Sequence, residues 1–178
     1  SFHPIIRDDL CCYKSSSTVI DLAKKYSSDL HVLHLTTEKE IKLFENIDLK
    51  NKKITCEVCV HHLWFDESDY EKLGNFIVCN PAIKKVSDRN ALRKALKDGF
   101  IDYVATDHAP HSYDDKKLPY GKAPAGIPLI EHSFHMMIEL HKQGYYSLEE
   151  VISYMSHKVA DRFSTVSYTH LTLPTRDG

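Results

Sequence analysis

The sequence has no excess of either charge: 23 basic residues stand against 25 acidic ones in 178, a formal net charge of −2. A surface so nearly neutral gives no electrostatic basis for binding nucleic acid or an anionic membrane. No apolar run approaches the roughly 18 residues that a membrane span needs, and no charged-then-apolar leader opens the chain. A disulfide framework is missing too. The cysteines Cys11, Cys12, Cys56, Cys59 and Cys79 are odd in number and irregularly spaced, so a reducing, cytoplasmic setting is expected. What remains, 42% hydrophobic and 10% aromatic, is the composition of a core-forming globular protein, with one domain as the default.

Two features stand out. Twelve histidines is a high density, and histidine is the commonest metal ligand. The first residue is Ser1 rather than Met, so the expectation is a cut rather than a natural start.

Between Ser15 and Tyr26 the apolar residues Val19, Leu22, Ala23 and Tyr26 recur at helical spacing, which predicts an amphipathic helix. His31 to Leu35 reads as a strand, followed by a Thr36-Thr37 cap and a helix from Glu38 to Ile47 with Ile41, Phe44 and Ile47 on one face. A second strand is expected over Ile54–Val60, an acidic helical turn over Asp66–Leu73, and a third strand over Asn75–Cys79. A helix over Ser87–Lys97 then stops at Gly99, before a fourth strand over Ile101–Thr106. Strands alternating with helices, uninterrupted by Asn-Gly hairpins, imply parallel βαβ units. A Pro- and Gly-containing loop runs on to about Pro128, with Gly121 and Gly126 as hinge candidates, and loops of such length are usually functional or disordered. Helices are expected over Leu129–Gln143 and Leu148–Phe163. The segment Ser164–Gly178 has no helical period and is similar to translated adapter read-through, so it and its His170 are set aside as a non-native or disordered tail.

In parallel α/β folds the chemistry lies at the carboxyl ends of the strands. Here those positions hold His34, the pair His61-His62, Asn80, and Asp107-His108 with His111 close behind. Alternation along a strand allows only one of His31 and His34, and only one of His61 and His62, to face a common axis. By the same rule Cys56 and Cys59 point to opposite faces, so this CxxC is read as structural cysteine and not half a zinc site. Singly, each histidine is more often a satisfied core or surface residue. Gathered at four strand ends, imidazoles and a carboxylate are what metal-assisted hydrolysis requires, with Asp107 placed to accept the proton of an attacking water. Its blander role is to cap the following turn.

The strings His31-Val-Leu-His-Leu-Thr-Thr-Glu-Lys-Glu40, Cys56-Glu-Val-Cys-Val-His-His-Leu63, Asn80-Pro-Ala-Ile-Lys84 and Asp98-Gly-Phe-Ile-Asp-Tyr-Val-Ala-Thr-Asp-His-Ala-Pro-His111 resemble, in order and spacing, the second half of dihydroorotases of the amidohydrolase superfamily. The resemblance covers about Phe2 to Phe163. It implies an α/β fold, a partial (β/α)₈ TIM-type barrel of about four of the eight units, occupying residues 1–163. It implies that His34 and His62 bind one metal, and that Asp107 binds a second and acts as general acid/base. His62 is preferred to His61 because it directly precedes the leucine, as the family ligand does. Asn80 and His111 would contact substrate, Ala125 and Gly126 would offer backbone contacts, and His31 and His108 are left structural. The implied cofactor is Zn²⁺, two per intact site, with Co²⁺ and Mn²⁺ as alternatives.

The implied reaction interconverts N-carbamoyl-L-aspartate and L-dihydroorotate in pyrimidine biosynthesis through a metal-activated hydroxide. The partners expected are these small molecules, with no nucleic acid and no membrane, and a homodimer is left open. The family's His-x-His pair, its substrate-binding Arg and Asn, and its bridging Asp or carboxylated Lys have no counterpart here, and neither has the small β domain that follows the barrel. A fragment with an incomplete metal site, inactive alone, is therefore expected. An allantoinase or dihydropyrimidinase-type hydrolase, a non-catalytic dihydroorotase-like subunit and a plain structural α/β module remain as other readings.

Overall fold

A computed structural model describes residues 2–165; the tail from residue 166, with His170, lies outside the described residues. The helices are α1 (His3–Ile6), α2 (Asp9–Tyr26), α3 (Glu38–Ile41), α4 (Val60–Trp64), α5 (Asp69–Leu73), α6 (Val86–Lys97), α7 (Tyr113–Lys116), α8 (Ser133–Lys142), α9 (Leu148–Ile152) and α10 (Lys158–Arg162). A π-helical turn, Ser153–His157, joins α9 to α10. The strands are β1 (Leu30–Val32), β2 (Ile54–Cys59) and β3 (Tyr103–Ala105), parallel and in the order β1-β2-β3. His31 lies opposite Thr55, Glu57 opposite Tyr103, and Cys59 opposite Ala105.

Among the described residues three strands form where four were expected. The stretch 75–79 enters a 3₁₀ turn, Gly74–Ile77, after Gly74 turns at φ 53°, and β2 pairs directly with β3. The helix expected over 38–47 is also shorter. Thr37 caps α3 in a capping box with Glu40, as the Thr pair suggested, but the helix ends at Ile41, and Ile47 is exposed.

The predicted face of α2 is displaced. Val19, Leu22 and Tyr26 are exposed, and the buried stripe is Ser16, Ile20 and Ala23. A polar residue can sit in that stripe because the Ser16 hydroxyl donates to Glu40 Oε1 at 2.6 Å. The helix also starts earlier, where the Asp8 carboxylate accepts from the Cys11 amide at 2.8 Å.

The two faces of the sheet differ in character. Cys56, Val58 and Val104 join a core with Ile20, Leu92, Leu96, Met137, Leu140 and Val151 from the covering helices. Each fully buried aliphatic side chain there contributes about 1.5–3 kcal/mol. The other face carries His31, Thr55, Glu57, Cys59 and Tyr103, following the period of two. Cys59, though fully buried, lies outside the core cluster, so the two thiols of the CxxC do face apart. On that second face the Tyr103 ring stacks on His31 at 5.0 Å, and His31 Nε2 lies 3.1 Å from Glu57 Oε2.

Below the sheet, Lys52 and Asp102 form an ion pair at 2.8 Å whose side chains are 2% and 4% exposed. Lys52 Nζ also donates to the carbonyls of Gly99 and Phe100, and Asp102 Oδ2 accepts from the Cys56 amide at 2.8 Å. This pair locks the starts of β2 and β3 together. No described helix is long and apolar enough to cross a membrane.

Candidate metal centre

The end of β2 builds the centre. The chain stays extended at Cys59 and turns helical at Val60, so strand alternation stops there. His61 and His62 therefore do not point to opposite faces as expected: their rings lie 4.2 Å apart. Arg93 Nε on α6 holds the far end of α4 by donating to the Leu63 carbonyl at 2.7 Å, and Arg89 pairs with Asp66 just beyond it at 2.6 Å.

Four of the seven buried side-chain nitrogen and oxygen atoms without a hydrogen-bond partner among the described residues belong to three histidines: His34 Nδ1, both nitrogens of His61, and His62 Nδ1. Buried polar groups normally find partners, so such a concentration marks a site meant for something else. His62 Nε2 donates to the Pro81 carbonyl at 3.0 Å, which leaves the lone pair on Nδ1. A carbonyl that fixes the tautomer and orientation of a ring in this way is the usual support of a metal-ligating histidine. Burial, helped by the neighbouring His34, lowers the His61 pKa to about 3, and burial with His61 beside it also holds His62 well below the ordinary range. Both rings are thus neutral near pH 7, as ligation requires. The donor set fits a divalent cation.

The other expected residues fall around this point. His34 sits just past β1 in left-handed backbone, φ 43°, and acts electrostatically on both His61 and His62. Asp107 has the same strained φ of 43° just past β3 and is exposed. Its charge, after burial, helps push the Cys59 and Cys79 thiols upward, Cys79 to about 12. Asn80, which begins a cis peptide to Pro81, lines with His31, His34 and Glu40 a cleft of about 510 Å³.

His111, Ala125 and Gly126 form a second group. His111 Nε2 donates to the Ala125 carbonyl at 3.0 Å, and the Gly126 amide donates to Val78 at 2.9 Å. At φ 130°, Gly126 leaves no room: a Cβ there would stand 2.4 Å from that of Ala109. His108 turns away, accepting from the Ile130 amide at 3.2 Å.

Two features were not anticipated. Cys59 joins His61 and His62 with ligand atoms within 4.8 Å of one another. The signal was the strand-to-helix change at Val60, which the β-branched run concealed. Lys116 lies buried in the long loop and donates to the carbonyls of Val78, Pro124 and Gly126 at 3.0, 2.9 and 2.9 Å. It ties the Pro124–Gly126 backbone to Val78, two residues before Asn80, and a lone lysine in a polar loop gives no sequence sign of burial.

No protein-family model matches the chain. A dihydroorotase of Ligilactobacillus salivarius is 36% identical over 143 residues, 80% of this chain and 33% of that protein. Among solved structures, an L-hydantoinase (dihydropyrimidinase) from Arthrobacter aurescens superposes with a TM-score of 0.78 at 25% identity, covering 85% of this chain and 35% of its own. A Saccharomyces cerevisiae dihydroorotase solved with 5-fluoroorotic acid gives 0.75 at 20% identity, over 86% of this chain and 43% of its own. The chain thus belongs to the amidohydrolase superfamily. Within it, the chain is a relative of the dihydroorotases, at 33–36% identity over 80% of its length. It spans about a third of the length of those curated relatives.

Proposed function

We propose that the chain is the C-terminal half of a (β/α)₈ barrel in a metal-dependent cyclic amide hydrolase, interconverting N-carbamoyl-L-aspartate and L-dihydroorotate. The observation that carries this reading is the set of unpartnered ring nitrogens on His34, His61 and His62, collected beyond the carboxyl ends of parallel strands. The similarity to dihydroorotases supports the choice of reaction.

His34 and His62 would hold a divalent cation, with Asp107, just past the carboxyl end of β3, contributing to a second site. Bound there, the metal supplies Lewis-acid polarisation of the ring amide carbonyl and acidifies water. Asp107 takes the proton of the attacking water as the C–O bond forms, then delivers it to the ring nitrogen as the C–N bond breaks. Its exposed, left-handed position leaves the carboxylate open to incoming substrate. Asn80 and His111 contact the ring and its carboxylate, and the Ala125–Gly126 backbone closes the far side. Lys116 fixes that backbone relative to Val78, two residues before Asn80.

A second reading, hydrolysis of hydantoin-like rings, is favoured by the hydantoinase superposition. Turnover of dihydroorotate, hydantoin and allantoin by the intact protein with added Zn²⁺ decides between them. Dihydroorotate is expected to be the preferred substrate. A preference for hydantoin or allantoin would favour the second reading, and turnover of none would overturn both.

A further inference from the structure

We infer that Cys59, His61 and His62 together form a thiolate-containing site for a thiophilic divalent cation, Zn²⁺ or Cd²⁺ in preference to Mg²⁺ or Ca²⁺. This builds on the reading of His62 as a ligand and adds a sulfur donor to it.

The three side chains are buried, and one ligand atom from each lies within 4.8 Å of the others. A tetrahedral ion with sulfur at about 2.3 Å and nitrogen at about 2.0 Å sets such donors roughly 3.5 Å apart, so about an ångström of closure, shared among three side chains, completes the set. His61 is 0% exposed with neither nitrogen partnered, which a purely structural histidine would avoid. His62 has one nitrogen spent on Pro81 and the other free. Cys59 ends β2 fully buried, and strand alternation turns its thiol away from the helix-covered core, to the side where the strand runs into His61 and His62.

The other nearby thiol is committed elsewhere. Cys79 Sγ donates to the Pro81 carbonyl at 3.3 Å, and the imidazole nitrogen 4.0 Å from it is the one already bonded to that carbonyl. Cys56 faces the core. On binding, the Cys59 S–H bond breaks, its proton passes to buffer, and a sulfur–metal bond forms, with no change of oxidation state. Soft sulfur beside imidazole selects Zn²⁺ and Cd²⁺ over oxygen-seeking cations.

The test is a Co²⁺ titration of the intact, metal-free protein, kept reduced with a phosphine, followed by absorption. A sulfur-to-cobalt charge-transfer band is expected, lost in Cys59→Ser and retained in Cys56→Ser and Cys79→Ser. Cd²⁺ affinity in Cys59→Ser is expected to fall about 100-fold or more, beyond the 10–100-fold that a change outside the ligand shell costs. Zinc-edge X-ray absorption of the unaltered protein gives an answer that needs no variant: one sulfur neighbour at about 2.3 Å is expected. Co²⁺ bound without the charge-transfer band, or zinc with nitrogen and oxygen neighbours alone, would overturn the sulfur ligand while leaving a histidine-based metal hydrolase intact. A band that survives Cys59→Ser would also overturn it, and failure to bind any metal would overturn both readings.

Discussion

Replacing Lys52 by methionine should destabilise the protein more than any surface change, because it strands a buried carboxylate. Asp102 is 4% exposed and has two partners, the Lys52 ammonium at 2.8 Å and the Cys56 amide at 2.8 Å. Removing one member of a buried pair costs about 3–5 kcal/mol, since the remaining charge keeps its desolvation penalty without its compensation. The carbonyls of Gly99 and Phe100 lose a donor in the same step. Adding Asp102→Asn should recover part of the loss, because the amide oxygen can still accept from Cys56 while no charge remains buried. The double variant is therefore expected to be more stable than the sum of the single losses by about 1–3 kcal/mol. Urea unfolding of the four proteins measures this cycle. A Lys52→Met cost below about 1 kcal/mol, or strict additivity, would refute the assignment of this pair as the clamp between β2 and β3.

Burial depresses the pKa of His61, to about 3, and of His62, so protonation favours the unfolded chain. In metal-free protein the resulting stability is complete above the ordinary histidine value of about 6.5 and lost as pH falls below it toward the folded value, by up to about 1.4 kcal/mol per pH unit for each ring. Thermal unfolding in chelator between pH 7.5 and 5.5 should show it, and a flat profile would contradict it. Lys116→Met removes a donor that the Val78, Pro124 and Gly126 carbonyls share, and should cost about 2–4 kcal/mol and open residues 112–126 to limited proteolysis. Unchanged protection would show that the loop is held by other contacts. Gly126→Ala meets both a φ of 130° and the Ala109 methyl, so a loss of at least about 2 kcal/mol is expected by denaturant titration. A neutral effect would mean that the Ala109 segment yields freely.

Much of the fold was legible because helix and strand periods are written in the apolar residues. The α6 helix, its Gly99 stop and the parallel pairing of the strands over 54–59 and 103–105 follow from them. What failed did so for local physical reasons. Gly74 converts an apolar run into a 3₁₀ turn, and the Ser16–Glu40 hydrogen bond lets a polar residue take a place in the buried stripe of α2, leaving Val19 and Leu22 outside.

At the site, strand-end position led to His34, the His61-His62 pair, Asn80 and Asp107-His108, and the resemblance to dihydroorotases singled out His62. Alternation, however, was carried one residue too far. Once the chain turns helical at Val60, adjacent histidines can share a side, and Cys59 comes within reach of both. The cage around Lys116 was hidden because its acceptors are backbone carbonyls, which no residue type announces.

The most direct test of the account is dihydroorotate hydrolysis by the intact, Zn²⁺-loaded protein and its Asp107→Asn variant, with bound metal measured in both. The account predicts that the variant stays folded and keeps metal on its histidines while kcat falls by about 10²–10⁴, the usual contribution of a positioned acid/base group. Equal turnover by the two proteins at equal metal content would contradict the role given to Asp107 and, with it, the proposed hydrolytic site.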